Sequence, residues 1–263
     1  MAEKTTDILF ERGNGRLAIT LNRPEARNAL TEVMMDDIRS AITEANADSQ
    51  IRVVTITGVG KSFCAGGDLK TLMKGKNPLQ IRQLIHGGIR PMVQAIRTCD
   101  KPVITAVNGS IAGAGITLAL AADLVIANQS AKFVTAFGKI GAIPDAAILY
   151  LLAENIGMLR AKQMVLLAQS LPAEEAFRLG LYNELTDDDS LSTRLDALSA
   201  EIAAGPTMAH ALAKKALHAA NQLSFEAYMD IEASSQALLH TGFDHDEGVA
   251  AFVEKRPPQF RGY

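Results

Sequence analysis

The stretch Pro102-Val-Ile-Thr-Ala-Val-Asn-Gly-Ser-Ile-Ala-Gly-Ala-Gly-Ile-Thr117 passes from a β-branched run, through a turn of small residues, into an apolar helical pattern. A second β-rich run, Asp123-Leu-Val-Ile-Ala127, follows shortly afterwards. Two strands joined by a helix in this way are typical of a βαβ unit, whose strands are parallel. The stretch therefore predicts an α/β fold with largely parallel pairing.

The same alternation of strands and helices extends towards the N-terminus. Short β-rich runs occupy 16–21 and 52–57. Between them the sequence predicts an amphipathic helix over 32–47, with Thr31 as its N-cap. A further amphipathic helix is predicted over 79–97, directly before the stretch quoted above. The first half of the chain is thus predicted to be a series of βα units.

The second half of the chain is predicted to be helical. Ser170 has the properties of an N-cap for a helix that ends at Gly180. The other helical patterns cover 146–168, 191–204, 206–222, 224–240 and 243–254. We therefore predict an α/β core over residues 1–190 and a helical region over residues 191–263, which packs on the core or on a neighbouring subunit.

The composition is that of an ordinary globular protein. The 263 residues are 48% hydrophobic and 21% charged, and the formal net charge is −3. Since no basic excess is present, no nucleic-acid partner is predicted. The uncharged run 103–122 is long enough to suggest a membrane span, but Asn108 and several glycines interrupt it. We predict a buried strand, turn and helix there, and no membrane partner.

Cysteines and histidines do not indicate a metal site. Cys64 and Cys99 have no metal-type spacing and are typical of reduced thiols, which predicts a cytoplasmic location. His240 and His245 lie close to acidic residues, but their spacing matches no standard metal site. We therefore predict no bound metal.

Two loops rich in small residues, 62–69 and 108–117, connect predicted strands to predicted helices. Small residues let a ligand approach the main chain, and the first turn of a helix has free N–H groups. Two such N–H groups directed at one point would stabilise an oxygen that gains negative charge. The composition is equally typical of tight turns and close helix–strand packing, so both interpretations stay open on this basis alone.

Dinucleotide binding is an alternative function for the second loop. Gly113-Ala-Gly115 follows a predicted strand and begins a predicted helix. The third glycine of the G-x-G-x-x-G pattern is absent, and Asp123 is too close to serve as the acid that binds the ribose. This sequence therefore disfavours a nucleotide-dependent oxidoreductase.

Several motifs in a fixed order resemble one known family over essentially the whole chain. They are Leu21-Asn-Arg-Pro24, Phe63-Cys-Ala-Gly-Gly-Asp-Leu69, Asn108–Gly115 and Ala122-Asp123. Together they resemble the crotonase (enoyl-CoA hydratase/isomerase) superfamily. The resemblance implies a spiral of ββα units, a C-terminal helical trimerisation region, and homotrimers or homohexamers. It also implies an acyl-CoA thioester as substrate and no separate cofactor, because coenzyme A is part of that substrate.

The resemblance also implies roles for individual residues in the two loops. In the family the thioester carbonyl lies between two backbone N–H groups, which correspond here to Gly67 and Ala114. Such donors need no particular side chain, which is why alanine is acceptable at position 114.

Four further positions correspond to the family's coenzyme A site. Ala65, Asp68 and Leu69 are expected along the adenine and pantetheine groups, largely through their main-chain atoms. Lys255 resembles a C-terminal lysine that approaches the nucleotide phosphate, often in the site of a neighbouring subunit.

Typical hydratases of this family hold and activate water with two glutamates, and this chain has neither. The corresponding residues are Thr117 and Phe137, which are expected to line the substrate site. Neither side chain is a general base at neutral pH, and a phenylalanine makes the site drier. Hydration by the two-glutamate mechanism is therefore disfavoured.

One acidic residue, Asp145, lies at a position where the resemblance implies catalysis. An aspartate that follows proline and precedes an apolar helix is also typical of an N-cap, so local sequence alone favours a structural role. The position resembles the base of dienoyl-CoA isomerases and of ring-1,2-epoxyphenylacetyl-CoA isomerase. Apolar neighbours should raise the pKa of Asp145, whereas a helix N-terminus should lower it.

Among these enzymes the epoxyphenylacetyl-CoA isomerase shares the most motifs with this chain. The shared segments are 112–120, 130–134 and Ile143-Pro-Asp145. The chain departs from that isomerase at 146–148, where alanine, alanine and isoleucine replace a cysteine and two glycines. We therefore predict an acyl-CoA isomerase that shifts a double bond or opens a ring epoxide, with Asp145 as its base.

Three alternatives remain open. One is an enoyl-CoA hydratase, and another is a protein that binds acyl-CoA without turning it over. The third is a 4-chlorobenzoyl-CoA dehalogenase-like enzyme, in which Asp145 would be the nucleophile. Relatives with that activity use a tryptophan and a histidine, but this chain contains no tryptophan, and Phe137 occupies the tryptophan position.

Overall fold

Two β-sheets form the centre of the computed structural model, which describes residues 6–72 and 75–262. Their strands are β1 (Ile8–Gly13), β2 (Arg16–Leu21), β3 (Val53–Gly58), β4 (Ser62–Cys64), β5 (Val103–Val107), β6 (Ser110–Ala112), β7 (Leu124–Asn128), β8 (Lys132–Val134), β9 (Ser170–Pro172) and β10 (Glu184–Thr186). The larger sheet has the order β1-β2-β3-β5-β7-β10, and the smaller has the order β4-β6-β8-β9. All pairs are parallel except β1–β2 and β8–β9. The prediction of an α/β fold with largely parallel pairing is confirmed.

Helices cover both sheets and continue to the C-terminus. They are α1 (Glu32–Ala47), α2 (Leu69–Leu72), α3 (Pro78–Leu84), α4 (Arg90–Thr98), α5 (Ala114–Leu120), α6 (Ile148–Leu166), α7 (Ala173–Arg178), α8 (Leu191–Ala204), α9 (Thr207–Ala219), α10 (Phe225–Leu239) and α11 (Phe243–Glu254). Helix α1 begins as predicted, since the Thr31 side chain accepts a hydrogen bond from the Met34 amide.

Two predicted helices differ from those observed. The predicted helix 79–97 is divided by a π-helical turn at Ile85–Ile89. Ser170 is not an N-cap, because it begins β9, and α7 starts only at Ala173. The local preference of these residues for a helix start is outweighed by pairing with β8, which gives the backbone of 170–172 its hydrogen-bond partners.

The uncharged run 103–122 lies in the protein core. All residues of β5 and all residues of α5 are buried, as predicted for this run. Within 6–72 and 75–262, no helix is both long enough and apolar enough to cross a membrane. The run thus places a strand and a helix of mostly small residues at the centre of the molecule.

The C-terminal helices are attached to the α/β part by packing and by ion pairs. Leu191 and Leu195 of α8 pack on Val53 and Ile104 of the larger sheet. Lys214 of α9 is buried and lies 2.6 Å from an Asp123 carboxylate oxygen. By its packing, α8 covers the larger sheet. The division of the chain at residue 190 stays a prediction.

Candidate active site

The two loops of small residues, 62–69 and 108–117, lie against each other and are called the glycine loops below. Strands β4 and β6 are adjacent and parallel, so the loops that follow them leave the smaller sheet at the same edge. A Cβ atom added at Gly66 would lie 3.0 Å from the Cα of Gly113 and 3.3 Å from the nitrogen of Ala114. One added at Gly115 would lie 2.5 Å from the carbonyl oxygen of Cys64. Only glycines permit this approach of one loop to the other.

The backbone near this contact leaves two amides directed away from the chain's own hydrogen bonds. Leu30 donates to the Gly66 carbonyl and accepts from the Asp68 amide, each at 2.8 Å. In such a parallel bridge the N–H of the middle residue, Gly67, points away from Leu30. Ala114 is the first residue of α5, where an amide has no intrahelical acceptor, and the N-cap residue there is Gly113, which has no side chain to provide one.

Asp145 lies in an unusual turn directly before α6. The Ile148 amide donates to the Asp145 carbonyl at 3.0 Å, and the two residues between them have left-handed φ angles of 54° and 66°. The N-cap position of α6 is Ala147, whose side chain has no acceptor, and among the described residues no side-chain cap of this helix is present. The interpretation of Asp145 as an N-cap is therefore wrong, because the left-handed turn displaces its carboxylate from the capping position.

The Asp145 carboxylate is half-buried, and this burial raises its pKa above the usual value for aspartate. A hydrogen bond with its own backbone amide acts in the opposite direction and is the smaller influence. Since desolvation disfavours the charged form, the ionised carboxylate accepts a proton more readily than an exposed aspartate would. A raised pKa of this kind suits a general base that works near neutral pH.

The positions of the two absent glutamates have different surroundings. Thr117 is fully buried in α5, and its Oγ1 donates a hydrogen bond of 2.6 Å to the carbonyl oxygen of Ala146. Phe137 lies in the short 3₁₀ segment Ala136–Ile140 and packs, partly buried, against the main hydrophobic core. Contact of either side chain with a substrate stays a prediction.

The residues expected along coenzyme A occupy the loop around Gly66 and its continuation into α2. The Asp68 carboxylate lies 3.2 Å from the Arg23 guanidinium, which itself donates to the Ala29 carbonyl. Ala65 is partly buried and its amide donates to a neighbouring carbonyl, whereas Leu69 is 60% exposed. The Asp68–Arg23 pair indicates that the Asp68 side chain holds the loop in place. The predicted contacts with coenzyme A stay predictions.

Lys255 lies at the opposite end of the α11 helix from Phe243, is exposed, and has a left-handed backbone. Within the described part of a single chain, Lys255 makes no hydrogen bond to the glycine loops. Its predicted approach to a phosphate in a neighbouring subunit stays a prediction.

Cys64 is adjacent to the contact between the loops, but its burial makes it a poor nucleophile. Its side chain is fully buried, and burial raises the pKa of the thiol to about 12. The thiolate is therefore scarce at neutral pH.

His240 and His245 lie with ring nitrogens 3.4 Å apart, and within the described residues no three His, Cys, Asp or Glu side chains are grouped to hold a metal ion.

Comparison with known proteins identifies the family. Residues 11–263 match a family model described as enoyl-CoA hydratase/isomerase. The chain belongs to the enoyl-CoA hydratase/isomerase family.

Relatives in this family align with almost the whole chain. A probable enoyl-CoA hydratase of Rhodobacter capsulatus is 42% identical over 255 residues, which are 97% of this chain and 98% of that protein. The 1,2-epoxyphenylacetyl-CoA isomerase of Escherichia coli is 38% identical over 258 residues, with the same coverage of 97% and 98%. The crystal structure of a putative enoyl-CoA hydratase from Streptomyces coelicolor has a TM-score of 0.93 at 34% identity, covering all of this chain and 97% of the other. The predicted crotonase-type fold is confirmed.

Two features of the candidate site were not predicted. The first is that the two loops touch at Gly66 and Gly115. The glycines present in both loops were a sequence signal for such a close contact. The second is the hydrogen bond between Thr117 and Ala146, for which the sequence contains no signal, because the two residues belong to different elements.

Proposed function

We propose that this protein is an acyl-CoA isomerase that moves a proton, and with it a double bond, through a thioester enolate. The observation that carries the proposal is the half-buried Asp145 carboxylate, which does not cap α6 and whose turn is hydrogen-bonded to α5. Helix α5 begins with Ala114, one of the two amides at the contact between the glycine loops. We infer from this connection that the carboxylate lies on the same side of the site as the two main-chain donors, an arrangement that is sufficient for enolate chemistry.

In the proposed mechanism the amides of Gly67 and Ala114 donate to the thioester oxygen. Asp145 removes a proton from the acyl chain, so that a C–H bond breaks and negative charge develops on that oxygen. The same carboxyl group then returns the proton to a different carbon, and the double bond moves. Each preorganised donor of this kind contributes about 2.7–4 kcal/mol to lowering a barrier. In a thioester with an adjacent ring epoxide, the enolate can expel the epoxide oxygen, so that a C–O bond breaks as a C=C bond forms and the alkoxide takes the proton from Asp145.

Hydration is the second candidate, favoured by the similarity to a probable enoyl-CoA hydratase at 42% identity. With threonine at 117 and phenylalanine at 137, water would have to be activated by Asp145 alone. Dehalogenation is less well supported because the chain contains no tryptophan. A protein that binds acyl-CoA without turnover is the remaining alternative.

The test is to incubate the protein in D₂O with cis-3-decenoyl-CoA, phenylacetyl-CoA and crotonyl-CoA and to follow products by mass spectrometry. We expect deuterium incorporation into at least one of the first two thioesters to be faster than hydration of crotonyl-CoA. Faster hydration would contradict the isomerase proposal and favour the hydratase. Tight binding of the thioesters without exchange of any acyl proton would favour a binding protein.

We also propose that the chain assembles into homotrimers or homohexamers through its C-terminal helices and works in the cytoplasm. The free thiols of Cys64 and Cys99 support the location. A cavity of about 580 Å³ among α9, α10 and α11 is lined mostly by apolar side chains, including Leu239 and Val249. Phe252 borders this cavity and is 86% exposed. A large exposed apolar side chain beside an apolar cavity supports contact with another subunit.

Assembly can be measured by light scattering coupled to size-exclusion chromatography. We expect a mass three or six times that of the 28.1 kDa chain. Phe252→Asp should lower the mass, because a charge would be buried at the proposed interface without a partner. Val33→Asp, a matched change of an exposed apolar residue on α1, should leave the mass unchanged. A monomeric wild-type protein would contradict the proposal.

A further inference from the structure

One buried hydroxyl group connects the two parts of the proposed site. Thr117 is fully buried, and its Oγ1 donates to the carbonyl oxygen of Ala146, the residue that follows Asp145. Ala114 lies three residues before Thr117, one helical turn away on the same side of α5. The hydrogen bond therefore ties the turn that carries the carboxylate to the helical turn that provides a main-chain donor.

The turn after Asp145 needs such support. Ala146 and Ala147 both have left-handed backbone angles, which residues with a side chain rarely adopt. Within the turn, one backbone hydrogen bond is present, from the Ile148 amide to the Asp145 carbonyl. Conformations of this kind persist only where their surroundings hold them. Because Ala146 is also buried, its carbonyl oxygen needs a partner inside the protein, and Thr117 provides one.

We propose that Thr117 is a positioning residue that acts through this turn, in place of the substrate contact that the sequence predicts for it. Its hydroxyl group holds the Ala146 carbonyl and so keeps the Asp145 carboxylate at a fixed place relative to the amides of Gly67 and Ala114. The inference rests on the proposed function, because it assigns Thr117 a role in setting the geometry of that site. It also accounts for a threonine that is buried and hydrogen-bonded at a position where a hydratase would have a glutamate.

The first test is Thr117→Val, which preserves the shape of the side chain and removes the donor. Using whichever thioester the wild-type protein exchanges in D₂O, we expect kcat to fall about 10- to 100-fold, since small misplacements of a catalytic group have effects of this size. KM should change little. Loss of the hydrogen bond to the Ala146 carbonyl should also expose the Asp145 carboxylate to water. The acidic limb of the profile of kcat against pH should then shift to lower pH. Thr117→Ser retains the hydroxyl and should restore most of kcat.

Thr105→Val is the matched control. Thr105 is also fully buried, and its hydroxyl donates to the carbonyl of Ala119 in the same helix. Removing this donor should lower the denaturation midpoint about as much as Thr117→Val does, without the change in kcat or in the pH profile. If Thr117→Val does not fold, Thr117→Cys, which retains a weak donor, takes its place and should show an intermediate loss.

A measurement without substrate separates this inference from the proposed function. The carboxyl carbon of Asp145 can be titrated by NMR in protein labelled at aspartate, with Asp145→Asn used to assign the signal. We expect Thr117→Val to lower the pKa of Asp145 and Thr105→Val to leave it unchanged. An unchanged titration together with unchanged kcat in Thr117→Val would overturn the positioning role, whereas absence of exchange by the wild-type protein would overturn the proposed function.

Discussion

Replacing Asp145 with asparagine should nearly abolish proton exchange and leave the fold intact. The amide of asparagine has similar size but cannot accept the acyl proton as a base. Removing a positioned general base typically lowers a rate about 10²- to 10⁴-fold, and we expect a loss in this range. The measurement is deuterium incorporation into the thioester that the wild-type protein exchanges. Binding of that thioester should be retained, because Gly67 and Ala114 donate through their main-chain amides.

The stability of Asp145→Asn distinguishes a catalytic from a structural role. Burial raises the pKa of Asp145 in the folded protein above its value in the unfolded chain. The stabilisation from this group is therefore fully present below the ordinary aspartate pKa and is lost as the pH rises through the folded-state pKa. At neutral pH the charged carboxylate opposes folding. We expect urea denaturation at neutral pH to give Asp145→Asn a free energy of unfolding at least as large as that of the wild type. In acid, the difference in this free energy should shift in favour of the wild type.

Asp37→Asn is a suitable control for this variant. Asp37 is exposed on α1, and its replacement makes the same change in net charge. It should leave the exchange rate unchanged. If Asp145→Asn exchanged protons at the wild-type rate, Asp145 would not be the base. If it lost stability at neutral pH, the side chain would have a structural role that the geometry of α6 does not indicate.

Replacing Gly66 with alanine should inactivate the protein by separating the two glycine loops. Gly66 has a φ of 103°, which is unfavourable for alanine, and the new Cβ would lie 3.0 Å from the Cα of Gly113. The opposing atoms belong to the main chain and cannot rotate away as a side chain can. Displacement of Ala114 from Gly67 should lower the exchange rate at least about 100-fold. Strain and overpacking should reduce the free energy of unfolding by about 1–3 kcal/mol.

Gly13→Ala provides the comparison for Gly66→Ala. A Cβ at Gly13 would meet no atom within 4 Å, and Gly13 lies at the end of β1. We expect this variant to retain the exchange rate and the denaturation midpoint of the wild-type protein within about 0.5 kcal/mol. Exchange at the wild-type rate by Gly66→Ala would mean that the two amides do not act together on the thioester oxygen.

Long elements were predicted well, and short ones were not. Strand β2 matches the predicted run 16–21, and α1 matches 32–47 together with its Thr31 cap. Runs of this length contain enough residues for a period of two or of 3.6 to appear. The smaller sheet consists of strands of three residues each, too short to show a period. Such strands form because neighbouring strands pair with them. An example is β9, which lies where the sequence predicted the start of a helix.

The sequence by itself determined the family, the α/β fold, the two glycine loops and the absence of both hydratase glutamates, because each of these depends on residue types in a particular order. Only the tertiary structure decided the state of Asp145. Local preferences favour an aspartate before a helix as a cap, but the backbone angles of Ala146 and Ala147 turn the carboxylate away from that position. Those angles depend on packing and on a hydrogen bond from Thr117, 29 residues away in the chain. Contacts between distant segments leave no trace in the local pattern of a single sequence, which is why the fold was predictable and the geometry of the carboxylate was not.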